Sequence, residues 1–269
     1  MCLAHSFNHA YSWGFSSAMG NPLIRLLDSS GIDLLFDDPS LLVLNKPSGL
    51  LVLPDRYDRS LPDLYTMLKK HFGKVYVVHR IEKDTSGVIL FPKTAEAHKA
   101  LNTQFEKQQV EKVYEAIVTG TPRQKEDTIS LPLSTDRRGV VKVDQRRGKE
   151  AITDYIVKEE FSGYALVGAR PRTGRQHQIR VHLQAIGLPI LSDQLYGDGR
   201  PFYLSDAKPH YRAKGEEKPL LERAALHAAA LSFDHPTTGE RVSFSALLPK
   251  GTSTVLKYLR KFRPLPDAD

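Results

Sequence analysis

A histidine, an arginine and two carboxylates lie close together in one short stretch of the chain, residues 79–87, with the sequence HRIEKDTSG. Apolar runs lie on both sides of it, at residues 75–78 and 88–91. This pattern predicts charged side chains on a tight loop between two buried strands, held by a rigid scaffold. A carboxylate in such a loop can serve as a nucleophile or as a general base. The alternative is a surface loop of ion pairs, and this stretch alone favours neither interpretation.

A second stretch rich in charge, residues 170–183, has the sequence RPRTGRQHQIRVHL. Its Thr-Gly turn leads into a predicted helix that carries Ile179 and Leu183 on its inward face. His177 and His182 lie five residues apart, and no cysteine or carboxylate cluster accompanies them. A metal site is therefore not expected here, because a protein metal site needs three or four such ligands.

The composition indicates a globular protein with an anionic partner. The 269 residues suffice for one large domain or one domain with appendages, and the 41% of hydrophobic residues allow a full core. The formal net charge of +7 favours an anion such as nucleic acid. The single cysteine, Cys2, excludes an internal disulfide and a cysteine-rich zinc site, which fits a reducing cytoplasm. The sequence contains no run of about 18 apolar residues that could span a membrane.

The rest of the chain supplies the elements that must position these side chains. Strands are predicted at residues 41–45, 112–118, 151–158, 164–169 and 241–247, and a strand followed by a turn at 226–236. Helices are predicted at 63–72 and, capped by Thr94, at 95–108. The helix that follows the Thr-Gly turn is expected to end at Gly187, and a C-terminal helix to begin at Thr252. Two basic turns, residues 137–139 and 146–149, are either solvated faces or contacts to phosphate. Residues 198–222 are predicted to form an irregular surface insertion.

The first stretch resembles the motif His-Arg-Leu/Ile-Asp-x-x-Thr-Ser-Gly of RluA-type RNA pseudouridine synthases, with Glu82 at the position of the aspartate. Five further motifs similar to those of that family lie before and after this stretch, within residues 36–250. They are Asn45-Lys46-Pro47-x-Gly49, Lys112-x-Tyr114-x-Ala116, Thr-Gly-Arg-x-His-Gln-Ile-Arg-Val-His at 173–182, Gly-x-Pro-Ile-x-x-Asp-x-x-Tyr-Gly at 187–197, and Leu-His-Ala-x-x-Leu-x-Phe-x-His-Pro at 226–236.

The resemblance implies an α+β fold, in which a mixed, mainly antiparallel sheet is surrounded by helices and carries a central RNA-binding cleft. Residues 36–250 would form this catalytic domain, and residues 251–269 a basic C-terminal helix and tail. Residues 1–35 would be an N-terminal extension without an S4-type module, with Met19 as an alternative start. A cytoplasmic monomer is expected, with tRNA or rRNA as its partner.

The implied reaction isomerises uridine to pseudouridine in RNA and needs no cofactor or metal. The nucleotide flips into the cleft, the glycosidic bond breaks, the uracil rotates, and C5 joins C1′. The family's catalytic aspartate corresponds to Glu82, whose carboxylate would either attack the ribose or remove a ribose proton. The resemblance also implies that Arg80 holds the extruded backbone, that Tyr114 stacks on the uracil, and that Arg180 orients the carboxylate.

Glu82 departs from the family pattern by one methylene. The longer side chain moves the carboxylate by about 1.5 Å on a fixed backbone, and a misplacement of about 1 Å can cost on the order of a hundredfold in rate. Three explanations stay open: Glu82 works in a reshaped site, the chain binds or folds RNA without turnover, or the substitution was introduced into an ordinary enzyme. Asp84 is a weaker candidate for the catalytic role, because a side chain two residues along the loop points elsewhere.

Overall fold

The computed structural model describes residue 27 and residues 29–265. In chain order the strands are β1 (Asp33–Asp37), β2 (Leu41–Lys46), β3 (Ser86–Pro92), β4 (Glu111–Thr119), β5 (Glu126–Ser130), β6 (Leu133–Thr135), β7 (Val141–Val143), β8 (Ile152–Phe161), β9 (Tyr164–Pro171), β10 (Leu226–Asp234) and β11 (Arg241–Ser245). The helices with described bounds are α1 (Leu64–Phe72), α2 (Ala95–Glu106), α3 (Gln178–Ala185), α4 (Leu204–Ala207) and α5 (Lys250–Phe262).

One large sheet runs through the described part of the chain. Its strand order is β1-β2-β3-β10-β4-β9-β8-β5, and β11 pairs with β10 beside this path. The strands β6 and β7 form a separate antiparallel hairpin. Among the strand pairs described, β10 with β3 is parallel, and the others are antiparallel. The predicted α+β class with a mixed, mainly antiparallel sheet is therefore confirmed.

The strands β2 and β3 are covered on both faces. Successive side chains of a strand point to opposite faces. Leu42 and Leu44 accordingly join the apolar cluster beneath α1, whereas Leu41 and Val43 join the cluster that contains Leu101 of α2. Helices on both sides explain why these strands appear in the sequence as uninterrupted apolar runs rather than as alternating ones.

Two helices begin at side-chain caps, of which the sequence predicts Thr94, whereas it predicts Asp63 as the first residue of its helix, opened by Ser60 or Pro62. The Asp63 carboxylate accepts a hydrogen bond from the Thr66 N–H at 2.8 Å and starts α1. The Thr94 hydroxyl accepts one from the Ala97 N–H at 3.2 Å and starts α2. Gly73 ends α1 with φ +72°, in the left-handed region that favours glycine. None of the described helices combines the length and the apolar character that crossing a bilayer requires.

Residues 75–78 are irregular rather than a strand, so that part of the sequence prediction is wrong. The Tyr76 N–H donates to the Pro92 carbonyl at 2.9 Å, at the end of β3. β2 pairs with residues 87–92 on one edge of β3, whereas β10 pairs with the other edge only at Ser86 and Gly87. Along the rest of that edge the Leu90 N–H donates to His79 Nε2 at 3.1 Å, so side-chain and end contacts stand in place of a strand ladder. Val75 and Val77 pack against the cluster beneath α1, so burial rather than strand pairing explains their apolar character.

The hydrophobic core extends into both flanks of the predicted catalytic domain. Strand β1 begins at Asp33, and Leu27 and Ile32 are each only 1% exposed. At the other flank, α5 buries Val255, Leu256 and Leu259 in the cluster that lines β4 and β9. Residues 1–26 of the predicted extension and residues 266–269 of the predicted tail lie outside the described residues.

Replacing Gly87 by alanine tests the parallel contact between β3 and β10. Gly87 has φ +117°, and a Cβ atom there would lie 2.1 Å from the Ala228 carbonyl oxygen. We expect Gly87→Ala to lower the free energy of unfolding by about 3 kcal/mol or more, since backbone strain and overpacking add. Gly163→Ala is the matched control, because its φ is +83° and nothing lies within 4 Å of its Cβ position. Equal losses for the two variants in urea denaturation would contradict the tight contact.

Candidate active site

The carboxylate loop, defined here as residues 79–85, is held from beneath by a buried lysine. Lys46, at the end of β2, is fully buried, and its ammonium donates to the carbonyls of Pro47 at 2.8 Å, Leu50 at 2.7 Å and Lys83 at 3.0 Å. The Lys83 carbonyl also accepts from the Gly49 N–H at 2.8 Å. The turn after β2 and the carboxylate loop are therefore bound together through main-chain carbonyl groups.

His79 fixes the start of the carboxylate loop. Its Nε2 accepts a hydrogen bond from the Leu90 N–H at 3.1 Å, and its ring stacks on Phe105 with centroids 4.9 Å apart. Burial, helped by the nearby charge of Lys112, lowers the pKa of His79 to about 3, so the ring is neutral and can accept this bond. His79 therefore has a structural role at the base of the loop.

Asp84 interacts with a different set of charged side chains from Glu82. Its side chain is exposed, and its charge acts on Lys46 and Arg223. The Arg223 guanidinium also donates to the Asp84 carbonyl at 3.0 Å, which ties down the end of the loop. This placement supports Glu82, rather than Asp84, as the carboxylate of the site.

Arg180 joins two carboxylates that are far apart in the sequence. From α3 its Nη1 donates to Glu82 Oε2 at 2.5 Å, while Nε and Nη2 donate to the two oxygens of Asp193 at 2.7 Å and 2.6 Å. The side chains of Arg180, Glu82 and Asp193 are 13%, 30% and 0% exposed. Burial alone would lower the pKa of Arg180, but the hydrogen bonds to Asp193 and the charge of Glu82 raise it overall. The guanidinium is thus permanently charged, and Glu82 keeps an open side toward solvent.

Asp193 is the buried anchor of this arrangement. Its Oδ1 also accepts from the backbone N–H groups of Leu195 at 2.9 Å and Tyr196 at 3.0 Å. Burial works to raise the pKa of Asp193, but the Arg180 hydrogen bonds and these backbone donors lower it below its usual value. Asp193 was not assigned a role from the sequence. It lies two positions after the apolar run 188–191, and an acidic residue so close to a buried run is a signal of a buried ion pair.

In the structure Tyr114 lies near the Glu82 carboxylate, and the Arg80 side chain is exposed. Tyr114 lies on β4, partly buried between two apolar clusters. Burial and the adjacent negative charge of Glu82 both raise the pKa of its hydroxyl. Arg80 is exposed and has no ion-pair partner within the described residues. Glu82, Tyr114 and Arg180, predicted separately from three motifs, therefore meet in one place, with Arg80 at its edge.

Two further side chains of the site, His177 and Tyr196, were not assigned a role from the sequence. His177 Nδ1 lies 2.8 Å from the Tyr196 hydroxyl, which also accepts from the Val141 N–H at 3.0 Å. The guanidinium carbon of Arg180 lies 4.9 Å from the centroid of the Tyr196 ring. Tyr196 thus contacts the arginine, the histidine and the β6–β7 hairpin together.

The arrangement can hold an ionised carboxylate beside an aromatic ring and several cations. No group of three or more histidine, cysteine or acidic side chains within residues 29–265 could hold a metal ion. The side chains present suit acid–base or nucleophilic chemistry on an anionic ligand with a planar ring.

Comparison with known proteins identifies the family to which the chain is similar. A family model described as RNA pseudouridylate synthase matches residues 40–185. An uncharacterized RNA pseudouridine synthase of Chlorobaculum parvum is 40% identical over 247 residues, covering 85% of this chain and 74% of the relative. The dual-specificity RNA pseudouridine synthase RluA of Escherichia coli is 36% identical over 216 residues, covering 79% and 91%. The structure of human RNA pseudouridylate synthase domain containing 4 superposes with a TM-score of 0.68 at 26% identity, covering 91% and 97%.

The fold, the site and these matches define an isomerase that acts on RNA. The chain belongs to the RNA pseudouridylate synthase family, and within it to the RluA type. It is accordingly an RNA pseudouridine synthase, as the sequence motifs predict.

Replacing Asp193 by asparagine tests the buried anchor. The amide keeps the size of the side chain but removes the charge opposite Arg180, and breaking a buried ion pair typically costs about 3–5 kcal/mol. We therefore expect Asp193→Asn to lower the free energy of unfolding by about 3 kcal/mol in urea denaturation. Asp198→Asn is the control, because the Asp198–Arg200 pair is 45% and 57% exposed and should contribute less than about 1 kcal/mol. A loss as small as that of the control would show that Asp193 does not anchor the site.

Proposed function

We propose that this chain converts uridine to pseudouridine in tRNA or rRNA with Glu82 as the working carboxylate. The observation that carries the proposal is the 2.5 Å contact between Arg180 Nη1 and Glu82 Oε2, made by a guanidinium already fixed on Asp193. An additional methylene has therefore not cost Glu82 its arginine partner. The half-open position of the carboxylate leaves a face available to a nucleotide.

Arg180 has two effects on Glu82 in this proposal. A nearby positive charge favours the ionised carboxylate, and hydrogen bonds from a fixed guanidinium restrict its orientation. Attack on the ribose and removal of a ribose proton both require an ionised, positioned carboxylate, so the arrangement suits either step. The carboxylate and the bound nucleotide supply the reacting groups, so the proposed reaction uses no cofactor and no metal.

Tyr114 is proposed to stack on the uracil once the nucleotide has left its helix. Stacking of an aromatic side chain on a base contributes about 1–3 kcal/mol, which helps to offset the free energy of flipping. The ring lies on a rigid central strand and its hydroxyl lies near Glu82. A base stacked there would hold its sugar close to the carboxylate.

Arg80 and the basic turns are proposed to bind the RNA backbone. Arg80 is exposed at the edge of the site and has no ion-pair partner in the described chain. The same holds for two sets of adjacent arginines in the β6–β7 region, Arg137 with Arg138 and Arg146 with Arg147. Unpaired arginines are suited to phosphate contacts, which position an RNA without reading its sequence. We place the enzyme in the cytoplasm, as a monomer.

The test is pseudouridine content in bulk tRNA and rRNA after incubation with the purified protein and its Glu82 variants. We expect the unmodified chain to form pseudouridine and Glu82→Gln to lose at least about a hundredfold in rate, since the amide keeps the shape of glutamate but cannot act as a base or nucleophile. Glu82→Ala should be equally inactive. Thermal unfolding of each variant controls for loss of fold.

Three outcomes would contradict the proposal. Turnover by Glu82→Asp alone would mean that the glutamate carboxylate is misplaced. Undiminished turnover by Glu82→Gln would place the reaction on another group. Binding of RNA without turnover by either the glutamate or the aspartate form would favour an RNA-binding protein on the same scaffold.

A further inference from the structure

His177 occupies an unusual backbone position at the entrance to α3. Its φ is +53° and its ψ +17°, in the left-handed region, and its side chain makes no capping hydrogen bond to the helix. A non-glycine residue in this region carries conformational strain, and such residues cluster at binding and catalytic sites. At this position the imidazole lies against Tyr196, with Nδ1 2.8 Å from the hydroxyl.

The hydrogen bonds of Tyr196 favour the tautomer of His177 that carries its proton on Nε2. The Tyr196 oxygen accepts from the Val141 N–H at 3.0 Å, so its single proton is free to point at His177 Nδ1, 2.8 Å away. Nδ1 is then the acceptor, and a neutral ring must carry its proton on Nε2. Within residues 29–265 no protein group pairs with Nε2.

We propose that His177 is a further substrate-binding residue, which donates a hydrogen bond from Nε2 to an acceptor oxygen of the uridine nucleotide held at Glu82. Tyr196 is a positioning residue that fixes His177 in the required tautomer. The inference rests on the proposed function, because it assumes that the nucleotide enters beside Glu82.

The charged groups around His177 place its ring at the same site. Glu82 and Arg80 face it from the carboxylate loop, Arg180 from α3, and Asp193 from the segment before Tyr196. Burial lowers the pKa of His177, and the opposing charge of Glu82 does not reverse this. The ring is therefore neutral at pH 7 and retains one donor and one acceptor.

Another histidine of the same region shows what a purely structural role looks like. His182, one turn further along α3, is fully buried, with Nδ1 3.0 Å from the Thr153 hydroxyl and Nε2 2.9 Å from the Leu131 carbonyl. Both of its nitrogens are satisfied inside the protein, whereas His177 is half-buried and has one nitrogen satisfied. This difference is the reason for assigning the free donor of His177 to a ligand.

Tyr196 also connects His177 to the β6–β7 hairpin. The Val141 N–H that donates to its hydroxyl belongs to β7, and the two residues share an apolar cluster with Leu133. The turn that joins β6 to β7 carries the exposed arginines Arg137 and Arg138. A movement of the hairpin that breaks the Val141 hydrogen bond would therefore change the hydrogen bonding of the Tyr196 hydroxyl, and with it the tautomer of His177.

The first experiment reads the tautomer in the free protein at pH 7, by nitrogen-15 NMR of labelled histidine with His177→Phe used for assignment. We expect Nε2 to be protonated and Nδ1 to be unprotonated. The reverse tautomer, or a doubly protonated ring, would overturn the proposal. This readout is independent of turnover, so it separates a failure of the inference from a failure of the proposed function.

The second experiment compares kcat/KM for pseudouridine formation on an RNA that the unmodified chain modifies. We expect His177→Phe to lose about tenfold and His177→Gln to lose less, since a glutamine amide can still donate from a similar position. The matched control is His210→Phe, because His210 has φ +60° yet is exposed and remote from the site residues. A loss for His177→Phe no larger than for His210→Phe would overturn the proposal.

The third experiment tests Tyr196 through a double-mutant cycle. Tyr196→Phe keeps the ring beside Arg180 and removes the hydroxyl that sets the tautomer, so we expect a loss of about threefold to tenfold in kcat/KM. The same substitution should have no further effect when His177 is already phenylalanine. Additive losses in the double variant, with unfolding temperatures unchanged, would show that Tyr196 does not act through His177.

Discussion

The guanidinium of Arg180 is the constraint on which the site depends, because it satisfies two carboxylates at once. One of them, Asp193, is wholly buried and is also held by two backbone N–H groups, so it cannot move without leaving charge unpaired in the core. The other, Glu82, accepts a hydrogen bond from the third nitrogen of the same planar group, Nη1. The position of the Glu82 carboxylate is therefore fixed through an ion pair whose acidic member is wholly buried. A single lysine could not perform this task, since it lacks the rigid fork of donors.

The part of the loop that follows Glu82 is held by contacts to its backbone. Lys46 and Gly49 bind the Lys83 carbonyl, Arg223 binds the Asp84 carbonyl, and the Thr85 N–H donates to the Glu82 carbonyl at 3.2 Å. None of these contacts depends on the length of the side chain at position 82. A glutamate can thus replace an aspartate without unfolding the loop, and the difference is absorbed where the side chain meets Arg180.

Local signals in the sequence were sufficient for most elements and for part of the site. Thr94 predicts the start of α2, and the uninterrupted apolar run at β2 is typical of a strand covered on both faces. The run at residues 75–78 is also apolar, but it meets β3 through the Tyr76 N–H and the His79 side chain instead of a strand ladder, a contact that its own composition does not encode. Asp193 and Tyr196 were missed for a related reason. Their roles exist only through contacts with Arg180, His177 and Val141, and a contact between distant segments leaves no periodic pattern in the sequence.

The position of strand β10 bears on the order in which the sheet can assemble during synthesis. It lies between β3 and β4, which do not pair with each other, and it joins the three-stranded β1–β3 unit to the strands that follow. Glu82 belongs to the first of these units, whereas Tyr114 and Arg180 belong to the second. During synthesis from the N-terminus, both units leave the ribosome well before residues 226–234. The strand that joins the two units of the sheet is therefore made after both of them, and a chain that ends before residue 226 lacks this strand.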